Sequence, residues 1–343
     1  MLTSFKEWRS EDITNRITDA MLISKEIFKA LTSLRQGKSL GTSKAPHKPI
    51  LLLAVLRAIE LGEIRDNQIF ITADLVGLFR GYWNKIVTST HSPNFALPFY
   101  HLKNESSGIW KLNVKVGFER ALTSSNSIKS LMLLEELCNY ASLREDIYHS
   151  AHDPILRDEM RTLILEKYFH KNLVTISGAK SYASTIEEMV MNESAANYKK
   201  QLEKVAEHAD KVEIEEEQFI RGATFKKVVP RLYENACAIT GLRIVAKANI
   251  SMVDACHIIP IAESGIDHIT NGIALTPTMH RAFDRGLIGV DENYRVLISS
   301  DFVENYSAHS LHQYEGKEIN LPSNAKYYPS LESLNWHRIR FGL

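Results

Sequence analysis

The densest apolar segment is Ile50 to Leu56, inside the run PILLLAVLRAIEL. Because it is apolar on nearly all sides, it predicts a helix at the centre of a core. Pro49 suits the first turn of that helix, where its missing N–H would be unpaired anyway. Gly62 suits a left-handed stop. Residues 20–60 as a whole read as two helices around a hinge punctuated by Gly37, Gly41, Pro46 and Pro49. Further on, Ile69 to Ile71 is short and β-rich, and Thr72 can cap a helix over ADLVGLFRGYW. Residues 86–98, with Pro93 and Pro98, read as loop, and Trp110 to Val116 as a strand. Helical patterns near 126–140 and 154–168 complete a first domain that ends near Phe169.

From Ser184 to Gln218 the pattern turns polar and helical, with few large apolar residues. It ends in the acidic cluster Glu213, Glu215, Glu216 and Glu217, and predicts a solvated linker helix. The apolar pattern then returns. NACAITGLRI is followed by the β-rich SMVDACHII, which ends at Pro260, and by the loop AESGIDHIT. The short strand IALT leads into PTMHRAFDRG, with Thr276 as N-cap, Pro277 as first helical residue and Gly286 at the end. The order is strand, loop, strand, short helix. The fold class expected is α+β: a mostly helical N-terminal domain over 1–169, a helical acidic linker over 170–218 and a C-terminal domain over 219–343.

Composition narrows the classes. The chain has 343 residues, 44% apolar and 24% charged, which suits two domains with cores and not a disordered chain. Lys and Arg total 41 and so do Asp and Glu, so the formal net charge is zero. That excludes a uniformly basic nucleic-acid coat protein but not a basic face. Arg221, Lys226, Lys227 and Arg231 follow the acidic cluster and suggest such a face. The N-terminus is charged from its start and predicts no secretory signal. No apolar run approaches the ~20 residues a membrane span needs. Cys138, Cys237 and Cys256 are widely spaced without a CxxC, which suggests a reducing cytoplasm. Cys237 and Cys138 read as small buried residues.

The chemistry concentrates between Cys237 and Val290. His280 and Asp284 are four apart on the predicted helix and share a face, where an imidazole and a carboxylate can hold one divalent cation. His257 ends the first strand. A hairpin with the helix packed across it would bring the three together, in an arrangement suited to phosphodiester hydrolysis.

The spacing of His257, Asn271 and His280, within ACHIIP…NGIALTPTMHRAFDRG, resembles the HNH (ββα-metal) nucleases, and most of all those of modification-dependent restriction endonucleases. The resemblance implies roles. His257 would be the general base, Asn271 would hold its loop, and His280 would bind Mg²⁺ or Mn²⁺. Asp284 sits where some members have a further metal ligand. Asp254 would orient the imidazole or reach the metal, and Arg285 would contact a phosphate. Two departures stand out. Cys256 replaces the Asp or His that many members place before the base, and a thiol suits Mg²⁺ poorly. Either Asp254 substitutes, by way of a bulge, or His280 and Asp284 hold the metal with waters. The paired CxxC motifs of many members are also missing, with Cys237-Ala-Ile-Thr240 in place of the first, so no structural zinc is expected.

Residues 22–169, through APHKPILLLA and LPFYHLKNESSGIWKL, resemble the sulfur-binding domain of restriction endonucleases that recognise phosphorothioated DNA. Sulfur is larger, more polarisable and less hydrated than oxygen, so a small apolar pocket can prefer it. The resemblance implies a pocket at Leu97, Pro98 and His101, and DNA contacts at His47 and Lys48. The family has an aromatic at the position of Leu97 and a small residue at that of His101, which implies a different pocket shape. Lys44, Arg80, Lys103 and Lys111 are candidate phosphate contacts. Phe99 is expected in the core. Tyr82, Trp83 and Trp110 are expected there too, or else as a cage for a flipped base. The function implied is a metal-dependent endonuclease acting on phosphorothioated double-stranded DNA in a bacterial or archaeal cytoplasm. A homodimer would serve to cut both strands. The alternatives are an endonuclease for methylated or hydroxymethylated DNA, or a DNA-binding regulator with an inactive HNH domain.

Overall fold

A computed structural model describes residues 22–37, 44–119, 128–171, 181–246 and 251–343. Gly41, in the expected hinge, lies outside them. The architecture is α+β, with helices around small antiparallel two-stranded sheets. The chain divides into two compact units. One comprises 1–182 with 210–216, and the other 183–209 with 217–343. The stretch expected as a linker is therefore shared between the units. No helix among the described residues is long and apolar enough to cross a membrane.

The first unit is built around helix α2 (His47–Glu60). Every residue from Pro49 to Leu56 on it is buried, and each large aliphatic side chain so placed contributes ~1.5–3 kcal/mol. The helix begins two residues before Pro49, and Gly62 follows its end with φ +72°. The unit also contains α1 (Lys25–Thr32), α3 (Ala73–Ile86), α4 (Ala96–His101), α5 (Leu131–Leu137), α6 (Glu145–His152) and α7 (Pro154–Phe169), of which α3, α4, α6 and α7 pack on the central helix. Thr72 caps α3 by accepting the Leu75 N–H at 3.2 Å. The stretch expected as loop up to residue 98 already contains the start of α4. The helix expected near 126–140 is cut short. From Cys138 the chain becomes strand β2 (Cys138–Leu143), which pairs antiparallel with β1 (Trp110–Val114), Trp110 opposite Leu143. Its inward residues Cys138, Ala141 and Leu143 gain burial as a strand, and that outweighs local helical preference.

The acidic cluster is not solvated. Helix α10 (Lys211–Leu232) carries it. Glu216 is fully buried, accepts the Phe95 N–H at 2.6 Å and pairs with Arg80 at 3.6 Å. Glu213 pairs with the same guanidinium at 3.7 Å, and Glu215 accepts from the Ser130 hydroxyl and the Met132 N–H. Desolvation pushes the Glu216 carboxyl up to about 7. These glutamates serve as internal partners for a buried cation and for open backbone N–H groups, a role local polarity could not reveal.

The second unit contains α8 (Tyr182–Asn192), whose first residue belongs to the other unit, then α9 (Ala195–His208) and the later turns of α10. Strands β3 (Asp254–His257) and β4 (Gly272–Leu275) form an antiparallel pair, with α11 (Pro277–Asp284) packed on both. A second hairpin, β5 (Ile288–Val290) and β6 (Val296–Ile298), and helix α12 (Leu331–Phe341) complete it. The expected order of strand, loop, strand and helix is present. Thr276 has cap geometry but its side chain makes no capping bond.

Candidate active site

The register of the hairpin sets out the site. Asp254 faces Leu275, Cys256 faces Ile273, and His257 faces Gly272. Side chains alternate along a strand, so Asp254 and Cys256 point to one face and His257 to the other. Helix α11 presents His280 and Asp284, one turn apart, to the first of these faces. His280 Nδ1 lies 3.4 Å from Asp254 Oδ2, and His280 Nε2 lies 3.5 Å from Asp284 Oδ2. Cys256 Sγ lies 3.7 Å from Asp284 Oδ1. One donor atom each from Cys256, His280 and Asp284 fall within 4.8 Å of one another. The thiol is fully buried. That burial pushes its pKa well above the ordinary value, and the nearby charges of Asp284 and Asp254 raise it further.

His257 has a different set of partners. Its Nε2 lies 3.0 Å from Asp267 Oδ1. A carboxylate only accepts, so in the neutral ring Nε2 holds the proton and Nδ1 keeps the lone pair. Asp267, only 3% exposed, also faces Arg221, whose guanidinium lies 3.6 Å from Oδ2. The His257 ring is stacked flat on Phe225, centroids 3.8 Å apart and planes 5° from parallel. Gly272 makes this possible. A Cβ on it would sit 2.8 Å from both Phe225 Cζ and Val229 Cγ2. The missing side chain opposite His257 is where α10 inserts its aromatic.

Asn271 fastens the loop between the strands. Its Oδ1 accepts the Ile259 N–H at 2.9 Å, and its Nδ2 donates to Ile259 O at 2.9 Å and Ile266 O at 3.4 Å. His268 is a buried peg in this loop. It contacts the Thr270 hydroxyl at 2.8 Å and Glu193 O at 3.2 Å, and burial lowers its pKa. Arg285 is exposed at the end of α11. Cys237 is fully buried, and its sulfur accepts the Thr240 N–H at 3.5 Å.

Thus His280, Asp284 and Asp254 are brought together, joined by Cys256, while His257 belongs to a separate group with Asp267. Orientation of the His257 imidazole by Asp254 is corrected: the pleat turns Asp254 away, and Asp267 holds the ring instead. Phe225 was not foreseen, and Arg221, expected on a basic face, instead stands beside Asp267. Only the bare glycine facing the histidine hinted at an inserted aromatic.

The recognition candidates sort differently. In the first unit a cavity of about 430 Å³ is lined by Arg35, Gln36, His47, Lys48, Leu97, Pro98, His101 and Asn104, among others. His47 is not a solvated donor. Its Nε2–H is committed to Ser92 O at 3.0 Å and its ring lies 4.6 Å from that of Trp83. Burial lowers its pKa to about 4, so it is neutral at physiological pH. Burial, with Lys48 and Lys103 nearby, also lowers the pKa of His101. Lys48 is paired with Glu105, which also accepts the Arg35 N–H. Lys103 Nζ sits over the Tyr100 ring at 4.3 Å, while Lys44 and Lys111 are exposed. Arg80 as a phosphate contact is corrected: it is 7% exposed and bound between Glu213 and Glu216. Tyr82, Trp83 and Trp110 are at most 5% exposed and form no open cage. The basic face expected at 221–231 is present only in part, with Lys226 exposed and the other three cations paired. Arg221 is buried against Asp267 and Glu217, while Lys227 and Arg231 both pair with Glu187.

Residues 237–291 match the family model of HNH endonucleases, and the hairpin and helix described above are its HNH domain. No curated protein matches the chain. The solved structures similar to the chain include two restriction endonucleases. One is the modification-dependent TagI restriction endonuclease, at 20% identity, covering 36% of this chain and 39% of that one, with a TM-score of 0.28. The chain thus spans well under half of that protein's length. The other is the type IV phosphorothioation-dependent restriction endonuclease ScoMcrA, at 11% identity, covering 76% of this chain and 82% of that one, with a TM-score of 0.32.

Proposed function

We propose that the chain is a metal-dependent DNA endonuclease restricted to modified DNA, with phosphorothioated DNA as the substrate its first unit reads. The observation that carries the nuclease reading lies within the HNH match. An imidazole set by a carboxylate, His257 with Asp267, stands next along the strand to the donor set Cys256, His280 and Asp284.

The donors fit a divalent cation, since imidazole, carboxylate and thiol are all metal ligands and one atom of each lies within a single small radius. His280 and Asp284 would hold it, with Asp254 fixing the His280 ring through Nδ1. Bound there, the cation would stabilise charge developing on the phosphate and the leaving oxygen. His257 Nδ1 takes the proton from the attacking water. Asp267 keeps Nε2 protonated and favours the imidazolium that results, and Phe225 fixes the ring plane. Asn271 holds the loop that carries Asp267. Arg285 offers a charge-assisted bond to a phosphate oxygen.

The pocket supports sulfur as the feature read. Leu97 and Pro98 line it beside two imidazoles shifted toward the neutral form, and the Lys48 ammonium is already paired. Such a wall favours a weakly hydrated sulfur over a strongly hydrated oxygen. Tyr82, Trp83 and Trp110, the aromatics considered for a cage around a flipped base, are instead buried. The test incubates matched phosphorothioated, methylated and unmodified plasmids with the protein and Mg²⁺ or Mn²⁺, alongside His257→Ala. Cutting confined to the phosphorothioated plasmid, lost in the variant, is expected. Equal cutting of all three would overturn the sulfur reading, and no cutting of any would overturn the enzyme.

A further inference from the structure

We infer that Cys256 is itself a metal ligand, and that its sulfur makes this centre select a thiophilic divalent ion, zinc or cobalt, ahead of magnesium. The inference takes the place of the metal from the nuclease reading; the sulfur is argued from the structure. The pleat turns Cys256 to the same face as Asp254, toward the helix that carries His280 and Asp284. Its Sγ lies 3.7 Å from Asp284 Oδ1, inside the radius that also holds the His280 nitrogen. The S–H donates to that carboxylate, and replacing the shared proton by a metal ion leaves sulfur and oxygen as neighbours in one coordination shell. The thiol is fully buried, whereas the side chains of His280 and Asp284 are 27% and 56% exposed. Sulfur therefore forms the closed wall of the site, and the imidazole and carboxylate form its open side.

The donor chemistry then decides the ion. Magnesium demands oxygen ligands in near-octahedral geometry and keeps several waters. A thiolate is soft and suits zinc and its neighbours in the transition series. One sulfur, one imidazole and one carboxylate make three protein ligands, the number typical of catalytic zinc, with a further position left for water or phosphate. As the metal–sulfur bond forms, the S–H bond breaks and its proton passes to water. No electrons are exchanged. Cys256 thus determines metal specificity at the position where sequence reasoning saw a weakened magnesium site.

The test uses the full chain, stripped of metal with a chelator and titrated with Co²⁺. A near-ultraviolet thiolate-to-cobalt charge-transfer band is expected. Cys256→Ser should lose it, while Cys237→Ser should keep it. Zn²⁺ should displace the cobalt, and Cys256→Ser should weaken Zn²⁺ binding about tenfold or more with little change for Mg²⁺. An unchanged band in Cys256→Ser, or cobalt binding without any such band, would overturn the inference. Should Cys256→Ser fail to fold, X-ray absorption of the zinc-loaded native chain still decides. A sulfur scatterer at about 2.3 Å supports the assignment, and a shell of nitrogen and oxygen alone overturns it. These readouts do not depend on catalysis. A native chain that shows the sulfur ligand yet cuts no DNA supports the inference and defeats the nuclease reading.

Discussion

At the residue scale, the chemistry of the site depends on which partner each side chain finds. His257 and His280 are both imidazoles near carboxylates, yet one faces Asp267 and the other faces Asp254 and Asp284. The first arrangement sets a tautomer for proton transfer, and the second leaves a ring nitrogen for a cation. Asp267 is the informative residue. Its carboxylate positions the imidazole through Nε2 and is itself steadied by Arg221. Asp267→Ala is expected to lower kcat by roughly 10²- to 10⁴-fold with KM little changed, by analogy with the carboxylate that orients a working histidine. Asp267→Glu should restore part of the loss. Steady-state cleavage of a labelled duplex measures the split, and a change confined to KM would count against a positioning role. The His257, Asn271 and His280 spacing was legible in the sequence because local chain geometry sets it. Asp267 was not, because it reaches the base only when the loop folds back.

At the scale of elements, the decisive contact is α10 against β4. Gly272 lets the helix come close enough to seat Phe225 on the His257 ring. A side chain there would force the helix back or twist Phe225 out of the stack. Gly272→Ala is expected to destabilise the protein by about 1–3 kcal/mol, the usual cost of overpacking. It should also slow cleavage by freeing the ring. A thermal melt paired with a single-turnover assay checks both; an unchanged melting temperature would mean that the helix yields without cost. The long helix shows where local reading fails. Its acidic first half has the composition of a solvated linker, but Glu213, Glu215 and Glu216 turn inward to Arg80, Ser130 and Phe95. The helical pattern itself was legible. The burial was not, because it depends on partners more than eighty residues away in the chain.

At the scale of the whole molecule, balanced charge acquires a structural explanation. Many of the basic residues that suggested a DNA face are already paired within the fold: Lys48 with Glu105, Arg80 with Glu213 and Glu216, Arg221 with Asp267, and Lys227 and Arg231 with Glu187. Those five cations are not free to release counterions from ordinary duplex DNA. Binding to unmodified DNA should therefore have a shallower salt slope than it would with these five cations exposed. Filter binding between low and physiological salt measures this. A steep slope would show a basic surface that the ion pairs do not neutralise. Weak attraction to unmodified DNA would leave discrimination to the pocket around Leu97 and Pro98.

The sequence by itself determined what short-range physics controls. The run from Ile50 to Leu56 had to be a buried helix, because no face of it is polar. The order of strand, loop, strand and helix was fixed by β-rich runs, a proline at a helix start and a glycine at its end. The spacing of His257, Asn271 and His280 carried the HNH character. Only the tertiary structure decided the pairings. Strand pleat sent Cys256 to the cation face and His257 to the other, and loop closure brought Asp267 to the base. The packing of α10 supplied Phe225 and Arg221, and it buried glutamates that look solvated in the sequence. Such contacts join residues distant along the chain, and their energies come from burial and charge pairing that no local pattern encodes.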